Sequence, residues 1–136
     1  MPIDVLVTAN PDLQGLSGDR VLSLDDDGLF WALWPALRSA PILEGHSIGF
    51  NSTAVLDCAG VRSLLDSLSA LRAQVSDSQP TFSVHLGRPL HPGETTFTRV
   101  VSRASFLGAV TELERLSQQA LATSSFLAFI GEPDYD

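Results

Sequence analysis

Apolar and polar positions change their period several times along the chain. Ile3-Asp4-Val5-Leu6-Val7 is a β-prone apolar run and predicts a strand. Asn10-Pro11-Asp12 ends it, and Gly15 and Gly18 keep the chain irregular. Arg20-Val21-Leu22-Ser23-Leu24 predicts a second strand. No helix separates the two, so antiparallel pairing is expected. After Asp25-Asp26-Asp27-Gly28 the period becomes helical, with Leu29, Phe30, Leu33, Trp34 and Leu37 on one face. Asp27 is the expected N-cap, where a negative charge suits the helix dipole. Pro35 lacks an N–H and disfavours a helical Trp34, so a kinked or split helix is expected.

His46-Ser47-Ile48-Gly49-Phe50 predicts a third strand, with Thr53 to Leu56 a candidate continuation. Asp57 can cap the helix that follows. Val61, Leu64, Leu65, Leu68, Leu71 and Val75 recur at three- and four-residue steps, the clearest helical pattern in the chain. Arg62 and Asp66 lie four apart on its outer face and are expected to pair. Thr81 to Leu86 alternates as a strand does, Gly87 to Glu94 is a Gly/Pro-rich loop, and Thr95 to Val101 is β-prone. Phe106, Leu107, Val110, Leu113, Ser117, Ala120 and Leu121 mark a last helix. Phe126-Leu127-Ala128-Phe129-Ile130 is apolar throughout, as suits a strand buried on both faces.

The order of these segments predicts an α/β fold, with α+β as the alternative: a mixed sheet of about five strands and about three helices packed on it. The 136 residues suit a single domain over 1–136 with a core of its own. No apolar run approaches the ~18 residues of a membrane span. The first residues lack the basic stretch of a signal peptide, and Cys58 is the one cysteine, so the expected location is the reducing cytoplasm.

Charge changes this picture more than composition does. Sixteen Asp and Glu oppose eight basic residues, all arginine, for a net charge of -8. Such a chain repels nucleic acid phosphates and anionic membranes and attracts basic partners.

Candidate chemistry is sparse. No glycine-rich phosphate loop, metalloprotease helix or nucleophile elbow occurs. His46, His85 and His91 are scattered, no cysteine pair has zinc spacing, and the Asp25-Asp26-Asp27 run lacks the ligand spacing of a calcium loop. No metal and no cofactor is therefore expected, and no catalytic residue. One enzyme or ligand-site reading remains as an alternative: His85, Arg88, His91 and Cys58 converging on a pocket, with Cys58 near a helix N-terminus that favours thiolate and Asp57 opposing it. Trp31 and Trp34 are three apart. Either both indoles fill the core, or at least one anchors an interface.

Three blocks carry a resemblance. Gly18 to Trp31 (GDRVLSLDDDGLFW), Phe82 to Gly87 (FSVHLG) and Val100 to Leu113 around Phe106-Leu107 resemble, in this order, a family of small acidic bacterial proteins. That family is similar in kind to the immunity proteins of polymorphic and contact-dependent growth inhibition toxin systems. There are two departures: Asn51 stands where the family's middle strand carries an acid, and Gly131-Glu132-Pro133-Asp134 replaces a simpler ending. The resemblance implies a non-enzymatic immunity protein that binds a cognate toxin domain with a basic surface, such as a nuclease, and occludes it. The expected contacts are Asp25, Asp26, Asp27, Trp31, Trp34, Glu132, Asp134, Tyr135 and Asp136. An adaptor protein with another partner is the second alternative.

Overall fold

The computed structural model describes residues 3–9, 20–24, 28–49, 52–75, 80–86 and 97–131. In chain order the elements are β1 (Ile3–Thr8), β2 (Arg20–Leu24), α1 (Gly28–Leu37), β3 (Glu44–Gly49), β4 (Ser52–Leu56), α2 (Cys58–Val75), β5 (Thr81–Leu86), β6 (Phe97–Ser102), α3 (Arg103–Ala122) and β7 (Phe126–Ile130). Five strands form one sheet in the order β2-β1-β7-β4-β3, and β5 and β6 form a separate ribbon. The α/β class, the five-stranded sheet and the three helices match the expectation.

Strand direction is where the structure differs. Each described pairing is antiparallel, so the sheet is not mixed but has an α+β character. The helical connections do not join parallel neighbours: α2 and α3 lie on either side of the ribbon in sequence, and the chain returns to the sheet only at β7.

β7 lies at the sheet centre, between β1 and β4. Its unbroken apolar run is explained by burial on both faces. Leu127 and Phe129 join the main core, while Ala128 lies on the opposite face. There Leu6, Ala128 and Val55 form a row across β1, β7 and β4, each at most 2% exposed. The main core continues from Ile3, Val5, Ala54 and Leu56 through Leu64 and Leu68 of α2 and Val110 and Leu113 of α3 to Phe30 and Leu33 of α1. Val101 ties the ribbon to the same cluster, and Phe82 meets Phe106 edge to face at 5.6 Å.

Local chemistry sets the helix ends. The Asp57 carboxylate accepts from the Gly60 N–H at 2.9 Å, so Asp57 caps α2 as expected. Ser102 caps α3 by accepting from the Ser105 N–H at 3.2 Å. Arg72 of α2 donates to Thr111 at 2.7 Å and pairs with Glu114, linking α2 to α3. Arg62 and Asp66, expected to pair, are both exposed, and no ion pair joins them among the described residues.

Two other expectations are corrected. α1 runs unbroken through Pro35, and Trp34 is helical; the Arg38 N–H still donates to the Trp34 carbonyl at 2.8 Å. Pro35 sits in the last turn, where little helix remains to be disrupted, and the buried Leu33, Ala36 and Leu37 around it hold that turn against the core. Residues 52–56 do not continue β3 but fold back on it as β4. Among the described residues, no helix is long and apolar enough to cross a membrane.

Candidate functional site

The register brings Leu24 and Ile130, the last strand residues before the two acidic runs, to one end of the large sheet. β2 and β7 each pair antiparallel with β1, so they run in the same direction. Leu24, the last residue of β2, lies opposite Ile3, and Ile130, the last of β7, lies opposite Asp4. Two strand spacings separate the exits, about 10 Å. The chain enters Asp25-Asp26-Asp27 directly from Leu24, and reaches Glu132 from Ile130 through the buried Gly131. β3 ends and β4 begins at the same end of the sheet, because Thr53 also lies opposite Ile130 and Ser52 opposite Gly49. Asp25, Asp26, Asp27, Asn51, Glu132, Asp134, Tyr135 and Asp136 themselves lie outside the described residues, as does the expected cap of α1 by Asp27.

The charge is unevenly divided between framework and connections. Seven of the eight arginines but only six of the sixteen acids fall within the described residues. Ten acids and Arg88 lie outside them. The layered framework is therefore close to neutral. The acid excess belongs to the segments between and beyond its elements, and the two densest runs leave from the same sheet edge. Counting acids segment by segment would have found the imbalance in the sequence; only the register shows that the two runs share an edge.

α1 begins at Gly28, so in sequence the first acidic run separates β2 from this helix. Trp31 and Trp34 are both half-buried and packed against the main core. With the fully buried Phe30 they form an aromatic trio: Phe30 and Trp31 meet at 5.0 Å, Phe30 and Trp34 at 5.7 Å, and the two indoles at 5.8 Å. Each tryptophan thus supports the core and keeps part of its surface accessible. The two readings of the sequence are not exclusive.

The residues of the alternative pocket are not gathered by any described contact. Cys58, a free thiol of intermediate exposure, opens α2 behind β4. His85 is the fifth residue of β5 in the separate ribbon. The side chain of His85 and the whole of Arg88 and His91 lie outside the described residues. A cleft of about 210 Å³ opens between α1 and α2, lined by Pro35, Ala36, Ser67, Ala70, Leu71 and Gln74. Among the described residues that line it there is no titratable side chain, and the Ser67 hydroxyl is the one candidate nucleophile. That hydroxyl is shared with Ser39 at 3.2 Å. Among the described residues, no three His, Cys, Asp or Glu side chains form a group that could hold a metal ion.

Comparison with protein-family models, with curated proteins and with solved structures finds no match to this chain.

Proposed function

We propose that this chain is an immunity protein that binds a cognate bacterial toxin domain through an acidic edge and neutralises it by covering a basic surface. The observation that carries this reading is the common exit of the two acidic runs. Leu24 and Ile130 deliver them to the same end of the five-stranded sheet, on either side of β1. Acidic runs that leave a near-neutral framework from one end would steer a basic partner in a preferred orientation and raise its association rate. A nuclease domain, whose substrate groove is basic, is a partner of suitable chemistry. The accessible parts of Trp31 and Trp34 lie on the helix that follows the first run and would supply the apolar anchor that charge alone does not. The resemblance to small acidic immunity proteins supports the same reading, and the cytoplasm is where such a protein would meet its toxin.

The test is binding to the toxin encoded beside this gene, followed by stopped-flow at several salt concentrations. The expected association rate falls steeply as salt rises. Replacing Asp25, Asp26 and Asp27 with Asn, and separately Glu132 with Gln and Asp134 and Asp136 with Asn, slows association while leaving far-UV circular dichroism unchanged. A salt-insensitive rate overturns the electrostatic mechanism. Growth inhibition that persists when this protein is co-expressed overturns the function.

A further inference from the structure

The five-stranded sheet protects both of its outer strands. β2 carries an extra residue against β1, because Val5 lies opposite Leu22 but Leu6 lies opposite Arg20. β3 takes four residue steps, from Gly45 to Gly49, while β4 takes two, from Ala54 to Ser52. Such bulges disrupt the regular row of backbone groups that another strand would need. The β5–β6 ribbon has no such break. Its six pairs run from Thr81 opposite Ser102 to Leu86 opposite Phe97 without a shift in register.

The ribbon is also free of acids, and Arg99 is its one arginine. Residues 81–86 and 97–102 contain no acid in a chain that has sixteen, and no proline. Val101 is buried toward the core, while Val100 next to it points away and is 66% exposed. Leu43 is the other exposed large apolar side chain among the described residues, at 46%. No third strand joins the ribbon among the described residues.

We propose that β6 is a self-association edge, at which a second copy of the chain pairs its own β6 antiparallel across a two-fold axis. A two-fold axis uses the same strand from both copies, so one acid-free edge is sufficient and the assembly closes as a dimer. Charge selects this occupant. Two chains of this net charge repel at long range and can approach only where acids are absent. A basic partner is drawn instead to the acidic runs. The two Val100 side chains meet near the axis, where a β-branched cross-strand pair stabilises the junction. The inference does not depend on the function proposed above.

Sedimentation velocity over a wide range of protein concentration, at about 0.05 M and about 0.5 M salt, tests it, because the Debye length falls several-fold across that interval. The expected result is a monomer–dimer equilibrium that shifts toward dimer as salt rises, opposite in sign to the toxin binding proposed above. Val100→Glu is expected to remain folded and become monomeric. Leu43→Glu, a control at the other exposed apolar site, is expected to dimerise as the unmodified chain does. Amide hydrogen exchange in β6 should slow with increasing protein concentration, a readout that does not rely on the variant. A monomer at all concentrations in high salt, a dimer that weakens with salt, or undiminished dimerisation of Val100→Glu would overturn the proposal.

Discussion

Gly60 and Gly108 both sit inside helices, yet they answer to different constraints. A Cβ on Gly60 would lie 2.6 Å from the Pro41 backbone carbonyl oxygen and 3.2 Å from the Leu56 Cβ. Gly60→Ala therefore sets an overlap costing about 1–3 kcal/mol against a helix-propensity gain of up to about 1 kcal/mol. A Cβ on Gly108 meets nothing within 4 Å. Gly108→Ala should stabilise by about 0.5–1 kcal/mol, with only the propensity term acting. Urea denaturation of both variants checks the pair; equal shifts would contradict the Pro41 contact. The sequence alone does not separate these glycines, because Pro41 is brought to Gly60 from the segment after α1. Asp57 was legible beforehand, since an N-cap acts on an amide three residues along the same chain. Trp31 and Trp34 were legible as one stripe, but their half-burial depends on what packs over α1.

At the scale of elements, local periodicity and local capping account for most of what the sequence revealed. The helix containing Leu64, Leu68 and Leu71 and the buried strand Phe126–Ile130 stand where their patterns predicted. β6 was only faintly marked, and β4 was not separated from β3. Short strands carry few residues of pattern, and their existence depends on pairing partners. The end of α3 closes without the glycine that usually marks such a termination. The Ser125 N–H donates to the Ala120 carbonyl at 2.8 Å and the Ser124 N–H to the Leu121 carbonyl at 3.2 Å, a Schellman termination. It requires a left-handed residue at Ser124, whose φ is 52°. Glycine takes this conformation without the cost, roughly 1 kcal/mol, that an L side chain incurs there. Ser124→Gly is expected to raise stability by about that amount. Chemical denaturation measures it, and a loss of stability would mean that the extra freedom glycine gives the unfolded chain outweighs the relief of backbone strain.

For the whole molecule, the separation of charge from framework is the main organising fact. Seven arginines against six acids leave the described layers nearly neutral, while ten acids lie in the segments outside them. A net charge of -8 on a folded chain creates self-repulsion that salt screens. The thermal unfolding midpoint should rise as monovalent salt increases from low to physiological concentration. A midpoint that falls over this range would mean that favourable ion pairs outweigh the repulsion. The sequence by itself determined the net charge, the periodicity of the helices and the double burial of the last strand, because each depends on residues close together in the chain. Tertiary structure decided the antiparallel sheet order, the place of β7 between β1 and β4, and the shared exit of the two acidic runs. These depend on pairings such as Asp4 with Ile130, between opposite ends of the chain, whose register is set by which faces can be buried together.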